Sequence, residues 1–128
     1  MHFYLNKIIK FVDKNPFIIT HELSIVKLSP HTGYLEGKIE FIDRSTLFIF
    51  EFLLGKGEKV IKDKYRYNYL NEKNELIFRY DNAPHFPDFT TFPHHKHLNQ
   101  DKVEESKEPN VKKIIEKIEN IIVEKIST

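Results

Sequence analysis

The segment TFPHHKH, at positions 91–97, places three histidines and a lysine in four consecutive residues of a chain that has seven histidines in all. A second segment rich in His and Pro, DNAPHFPD at positions 81–88, lies shortly before it. Imidazole titrates near neutral pH, so two such groups can serve as general base and general acid without special tuning. Imidazole is also a common zinc ligand. Both kinds of chemistry therefore start as hypotheses for this region.

Three interpretations of these histidines stay open. In the first, one His takes the proton of a ribose 2′-hydroxyl and another protonates the leaving oxygen, while Lys96 and two arginines stabilise the phosphorane; these are the ingredients of a metal-free ribonuclease. In the second, His85, His95 and His97 hold zinc with one position left for water. An HxH pair without a compact carboxylate–histidine motif is a weak signal for such a site. In the third, the imidazoles only satisfy backbone carbonyls in a proline-rich loop.

The elements that must position these side chains follow from the hydrophobic periodicity. Helical spacing predicts helices over residues 3–13 and 110–127. A period of two, broken by turn residues, predicts strands over residues 17–28, 34–42, 46–54, 59–70 and 75–81. Residues 82–99 read as a loop with room for one short strand. The expected fold is α+β, a curved antiparallel meander of about five to six strands with both terminal helices on one face.

We divide the chain into a single domain over residues 1–100, a charged linker over 101–109 and an amphipathic helix over 110–127. This last helix carries a broad Ile/Val stripe that should pack on the core or pair with a second subunit as a homodimer.

Symmetric turns predict which residues share a face of the sheet. The core face then carries Tyr65, Tyr67, Tyr69, Leu76, Phe78, Tyr80, Ile39, Phe41, Phe48, Phe50 and Phe52. Asp63 falls on it too, which suggests a bulge before Tyr65 or an exposed edge there. The other face carries Lys38, Glu40, Glu51, Lys64, Arg66, Asn68, Arg79 and Asp81 among Ile42, Leu47, Ile49 and Ile77. Arg66 lies directly opposite Arg79 in this register, so an anion should sit beside them: Glu51, Asp81 or a bound phosphate.

Composition limits the class of protein. The 128 residues suit one domain, and 20 Lys and Arg against 19 Asp and Glu leave a net charge of +1. A nucleic acid would therefore be attracted by a local patch rather than by the overall field. The chain has no cysteine, no apolar run that would span a bilayer, and an N-terminus too charged for a signal peptide. We expect a cytoplasmic protein without a membrane partner.

Three strings of the sequence resemble a known family. YRYNY at 65–69, LIFRYDNAPHFPDFTTFPHHKH at 76–97 and GYLEGKIEFIDRSTLFIFEF at 33–52 are similar to the signature of the TumE family of toxin–antitoxin proteins. The resemblance implies a small toxin held inactive by a helix-turn-helix antitoxin, with RNA as the suspected target. The matching positions are Tyr65, Arg66, Tyr67, Arg79, Asp81, Asn82, His85, Pro93, His94, His95, Lys96 and His97.

Together the residue chemistry and the resemblance give one set of candidate roles. The catalytic candidates are His85, His95, His97, Lys96 and Arg79. The substrate-binding candidates are Arg66, Tyr65, Tyr67, Asp81, Asn82 and His94. The first hypothesis is an RNA-cleaving toxin that needs no cofactor. The second is a non-catalytic module that binds RNA or a protein, and the third is a metal-dependent hydrolase that uses the three histidines named above.

Overall fold

The computed structural model describes residues 1–99 and 101–127, and within them the chain forms two helices and one sheet. The helices are α1 (His2–Asp13) and α2 (Val111–Ser127). The strands are β1 (Ile18–Ser29), β2 (Thr32–Phe41), β3 (Thr46–Lys56), β4 (Lys59–Leu70), β5 (Leu76–Asp81), β6 (His95–Leu98) and β7 (Val103–Glu105). Each strand pairs antiparallel with the next, in chain order, to form one open seven-stranded sheet. The predicted α+β meander with a helix at each end is confirmed. The strands beyond the five predicted are β6, in the predicted loop, and β7, in the predicted linker.

Short turns explain why the strands follow one another in space. In the β4–β5 turn the Asn71 side-chain oxygen accepts hydrogen bonds from the backbone N–H groups of Lys73 and Glu75, at 2.9 and 3.0 Å. In the β2–β3 turn Asp43 accepts from the backbone N–H of Ser45 at 3.1 Å. Such side chains replace backbone partners in turns. The connections are therefore tight enough to keep consecutive strands adjacent.

The hydrophobic core lies between one face of the sheet and the two helices. Helix α2 contributes five side chains that are at most 4% exposed: Val111, Ile114, Ile115, Ile118 and Ile122. Their spacing forms the apolar stripe expected of a helix that covers a sheet. Helix α1 adds Val12, which is 1% exposed. Neither α1 nor α2, the helices of the described residues, covers the opposite face of the sheet, and we call it the open face.

Strand β3 faces the opposite way from the prediction. Ile39 pairs with Leu47, which places Leu47 on the core face, so the register between β2 and β3 differs from that of symmetric turns by an odd number of residues. An odd shift exchanges the two faces of a strand. The core side chains of β3 are therefore Leu47, Ile49, Glu51 and Leu53. The prediction that Phe48, Phe50 and Phe52 belong to the core was wrong, and Phe48 is 42% exposed on the open face.

Strand β4 was assigned to the correct faces. Tyr65, Tyr67 and Tyr69 are at most 3% exposed and lie in the core. Residue 63 is the extra residue at a register shift, because Phe52 pairs with Lys64 while Leu53 pairs with Lys62. The predicted bulge at this position is confirmed.

Glu51 is a charged residue inside this core. Its side chain is fully buried, accepts hydrogen bonds from the hydroxyls of Tyr4 (2.5 Å) and Tyr67, and lies 3.9 Å from the ammonium of Lys62. Lys62 also donates to the backbone oxygen of Pro109 at 2.5 Å. The cluster thus links α1, β3, β4 and the segment that leads into α2. Its burial contradicts the prediction that Glu51 lies beside the arginines of the open face.

Candidate functional site

The pairing of β5 with β6 brings the predicted histidines to the arginine-bearing face. Asp81 pairs with His95 and Arg79 pairs with His97. Side chains alternate between the faces of a strand, and the intervening Tyr80 and Phe78 belong to the core. His95, His97, Arg79 and Asp81 therefore lie together on the open face, at the part of the sheet that the loop over residues 82–94 approaches.

Asp81 is the centre of this group. One carboxylate oxygen lies 2.8 Å from Nε2 of His95 and accepts from the backbone N–H of Ala83 at 3.0 Å. The other oxygen lies 3.3 Å from Nε2 of His97 and 3.6 Å from Nε of Arg79. Asp81 is 8% exposed. We call these four residues, Asp81, Arg79, His95 and His97, the Asp81 cluster.

His95 is held firmly and shielded from solvent. It is 1% exposed, and its Nδ1 lies 2.9 Å from the backbone oxygen of Pro93. Phe86 packs against its ring with a centroid separation of 4.9 Å. Its Nε2 is close to Asp81 but lacks hydrogen-bond geometry with any described residue. A ring in this position can orient Asp81 but cannot reach a substrate directly.

His97 is the histidine of the cluster that solvent can reach. Its side chain is 20% exposed. Partial burial lowers the pKa of His97 below its ordinary value of 6.5, and the neighbouring charges of Arg79 and His95 act in the same direction, while Asp81 opposes them. The lowered pKa favours the neutral ring, which is the form that a general base requires. Since Nε2 faces Asp81, Nδ1 remains to accept a proton.

A cavity of about 530 Å³ lies beside His97. Arg66, Arg79, Asn82, His85 and His97 all line it. Two guanidinium groups and an imidazole around one cavity suit a phosphate with a proton-transfer group next to it. The cavity is the part of the open face where substrate chemistry is feasible.

The two arginines are not directly opposite each other. Arg66 pairs with Asp81, and Arg79 pairs with Asn68, two residues away from the predicted register. An even shift keeps every side chain on its predicted face. The arginines are consequently diagonal neighbours, and Asp81 is the anion that the prediction required beside them.

Lys96 and Tyr67 lie on the other side of the sheet. Lys96 pairs with Tyr80, and its ammonium lies 5.3 Å from the Tyr80 ring. Burial, followed by the nearby Lys117, lowers the pKa of Lys96 to about 8. The Tyr67 hydroxyl is bound to Glu51 in the core. Neither side chain lies on the face that holds the Asp81 cluster.

Three other predicted residues lie near the Asp81 cluster or at the edge of the cavity. His94 stacks on the Tyr65 ring, and its Nδ1 lies 2.9 Å from the Tyr65 hydroxyl. Asn82 bridges the loop to the β4 bulge: it accepts from the backbone N–H of Tyr65 at 3.0 Å and donates to the backbone oxygen of Asp63 at 2.9 Å. His85 is exposed at the edge of the cavity.

Sequence reasoning missed two residues of this region. Phe86 stacks on Phe89, with 5.1 Å between centroids, and covers His95. Phe50 lines the cavity, although the prediction placed it in the core. The signal for Phe86 is its position between the prolines of PHFPD, where a large apolar residue in a polar loop indicates a packing contact.

A metal-ligand set is present, but it differs from the predicted one. Asp81, His95 and His97 each offer a ligand atom within 4.8 Å of the others, and His85 is not part of the group. Two imidazoles and a carboxylate suit zinc or another transition metal. The unpaired Nε2 of His95 favours such a site. The guanidinium of Arg79, 3.6 Å from Asp81, opposes it because it competes with a cation for the same carboxylate.

Comparison with known proteins places most of the chain in one family. The family model described as "Toxin TumE" matches residues 8–126. Searches of curated proteins and of solved structures gave no match. Within the described ranges, no helix is long and apolar enough to cross a membrane.

Proposed function

Since this chain belongs to the TumE toxin family and is thus the toxin of a toxin–antitoxin pair, we propose that it cleaves RNA by metal-free acid–base catalysis at the Asp81 cluster. The observation that carries this proposal is the position of His97. It lies 3.3 Å from Asp81 and lines a cavity that Arg66 and Arg79 also line, and its lowered pKa favours the neutral ring.

The proposed reaction uses the 2′-hydroxyl of RNA as its nucleophile. His97 takes the 2′-hydroxyl proton at Nδ1, and the 2′-oxygen then attacks the adjacent phosphorus. The bond from phosphorus to the 5′-oxygen breaks as His85 donates a proton to that oxygen. The products are a 2′,3′-cyclic phosphate and a 5′-hydroxyl. Arg66 and Arg79 stabilise the charge that develops on the phosphoryl oxygens.

Asp81 and His95 act behind the reacting groups. Asp81 holds Nε2 of His97 and stabilises the imidazolium that forms when Nδ1 takes a proton, as a carboxylate does for other catalytic histidines. His95 lies 2.8 Å from Asp81 on the buried side, where its ring limits the space open to the carboxylate, and is a positioning residue. Lys96 has no part in this proposal because it lies on the helix-covered face.

The test is cleavage of an end-labelled single-stranded RNA by the purified toxin and its variants. His97→Ala and His85→Ala should each lower the rate by roughly 10²- to 10⁴-fold, the usual contribution of one acid or base. His31→Ala is the matched control, because His31 is an exposed histidine in the β1–β2 turn. Replacing the ribose at the cleavage site by 2′-deoxyribose should abolish the reaction. Cleavage that survives this replacement would contradict the mechanism.

The antitoxin partner that the family implies is proposed to be a helix-turn-helix protein. An adjacent reading frame that encodes such a protein, and its co-purification with the toxin, would support this. A neighbouring frame without that motif would contradict it.

A second candidate is a metal-dependent hydrolase that uses Asp81, His95 and His97, favoured by the unpaired Nε2 of His95. Activity lost in EDTA and restored by zinc, with zinc bound to the purified protein, would select it over the metal-free reaction. Activity unchanged by EDTA would reject it.

A further inference from the structure

The open face of β3 carries a row of phenylalanines. Phe48, Phe50 and Phe52 alternate with the core residues of the strand and point away from the helices. Phe48 is 42% exposed, and Phe50 and Phe52 are half-buried. Successive members are about 7 Å apart, since a strand rises roughly 3.4 Å per residue. A contiguous aromatic row on an uncovered sheet face indicates a binding surface.

A row of polar and cationic side chains runs beside the phenylalanines on β4. The register places Lys64 opposite Phe52, Arg66 opposite Phe50 and Asn68 opposite Phe48. Lys64 and Arg66 are exposed. The two strands together therefore present ring faces on one side and cations with an amide on the other.

This double row is continuous with the candidate catalytic cavity. A depression of about 720 Å³ is lined by Phe48, Phe50, Arg66 and Asn68. Phe50 and Arg66 also line the cavity of about 530 Å³ that holds His85 and His97. A polymer that lies along β3 and β4 would reach His97 without leaving the surface.

We propose that Phe48, Phe50, Lys64 and Arg66 form a platform for single-stranded RNA that leads into the catalytic cavity. The inference rests on the proposed function for the identity of the nucleic acid. Unpaired bases expose their ring faces and stack on aromatic side chains, whereas paired bases stay stacked on each other. Cations beside the rings would neutralise the phosphates.

The charges on the far side of the depression determine on which side the RNA backbone lies. Glu22, Glu36 and Lys38, on β1 and β2, line the side of the depression away from β4. Two carboxylates against one ammonium make that side net acidic and repel phosphates, so the backbone would follow Lys64 and Arg66 on β4 while the bases lie over β3. The acidic side thus leaves one cationic track, along β4, for a single phosphate backbone.

The test is fluorescence anisotropy with a labelled single-stranded RNA whose 2′-hydroxyls are methylated. This probe lacks the nucleophile, so binding is measured separately from cleavage. Stacking of a base on an aromatic ring is worth about 1–3 kcal/mol, which corresponds to roughly 5- to 150-fold in affinity. We expect Phe48→Ala to weaken binding at least about fivefold and Phe48→Ala with Phe50→Ala to weaken it further. Phe48→Tyr should retain affinity.

Phe3→Ala is the matched control, because Phe3 is 74% exposed but lies on α1. It should bind the probe as the parent protein does. A duplex of the same sequence should bind more weakly than the single strand. Phe48 is already partly exposed, so its truncation leaves little cavity and the single variant should fold even if the double variant does not.

Each outcome bears on one of the two proposals. If the folded Phe48→Ala protein binds the single strand as tightly as the parent, the platform is refuted, whether or not RNA is cleaved. If binding is lost with Phe48→Ala but the parent never cleaves unmodified RNA, the platform stands and the proposed reaction fails. If the variants keep RNA affinity but lose the antitoxin, the row is a protein-binding surface and the inference is wrong.

Discussion

Replacing Glu51 by alanine should destabilise the protein strongly, even though sequence reasoning placed this residue on the surface. The carboxylate accepts from the hydroxyls of Tyr4 and Tyr67 and faces the ammonium of Lys62 at 3.9 Å, with no exposed area of its own. Its removal takes away the ion-pair partner of the buried Lys62 ammonium. Breaking a buried pair in this way typically costs about 3–5 kcal/mol.

The expected change is large compared with the whole stability of such a domain, about 5–15 kcal/mol. An unfolding entropy of about 2.1 cal/mol/K per residue gives roughly 0.27 kcal/mol/K for 128 residues, so the melting temperature should fall by about 10–20 °C. Thermal and denaturant unfolding followed by circular dichroism measure this. Tyr4 belongs to α1, so the variant should also loosen the N-terminal helix.

Two further variants serve as controls for the loss of the Glu51 carboxylate. Glu36→Ala removes an exposed carboxylate from the neighbouring strand β2 and should change the free energy of unfolding by less than about 0.5 kcal/mol. Glu51→Leu combined with Lys62→Met removes both charges, and it should recover part of the loss because no unpaired charge stays buried. A Glu51→Ala protein within about 1 kcal/mol of the parent would refute the reasoning.

Three other predictions follow from burial and charge. Burial raises the pKa of Tyr69 to about 12, and it also raises the pKa values of Tyr4, Tyr65 and Tyr67. The folded state therefore keeps phenol protons that the unfolded chain loses, so the free energy of unfolding should fall as pH rises above about 10. Denaturant titration and phenolate absorbance measure this. Deleting residues 101–128 removes five buried α2 side chains, whose burial is worth about 1.5–3 kcal/mol each. The truncated protein should therefore fail to fold, and an unchanged melting temperature would contradict this. In a pH–rate profile the acidic limb of RNA cleavage should lie below pH 6.5, because the pKa of His97 is lowered. Arg79 contributes to this lowering through its positive charge. Arg79→Lys should therefore leave the acidic limb in place, and Arg79→Ala should move it to higher pH.

The elements of the fold could be predicted because their signals are local. Helix α2 was expected over residues 110–127 and spans Val111–Ser127, and β4 was expected over 59–70 and spans Lys59–Leu70. Apolar spacing and turn residues are sufficient for such elements. A short strand was allowed within residues 82–99, where β6 lies, but its bounds were not predicted and β7 was not predicted at all, because short polar strands form through pairing with a neighbouring strand and not through their own alternation.

The orientation of β3 could not be predicted because both of its faces are apolar. Leu47 and Ile49 alternate with Phe48 and Phe50, so alternation does not identify the core side. The prediction therefore depended on symmetric turns alone, and it placed Glu51 on the open face, whereas Glu51 is buried through contacts with Tyr4 and Lys62 from distant parts of the chain. Long-range contacts of this kind leave no local pattern in the sequence.

The prediction that Arg66 and Arg79 share one face of the sheet was correct, although the predicted register between their strands was wrong. The β4–β5 register was wrong by two residues, and an even error keeps Arg66 and Arg79 on one face. The β2–β3 register was wrong by an odd number, and that error moved the phenylalanines to the wrong side. Two arginines directly opposite each other would repel. In the observed register Asp81 lies opposite Arg66 and beside Arg79, so this repulsion is avoided. The carboxylate that lets two guanidinium groups share the open face is also the group that orients His97, so electrostatic stability and the proposed chemistry depend on the same side chain.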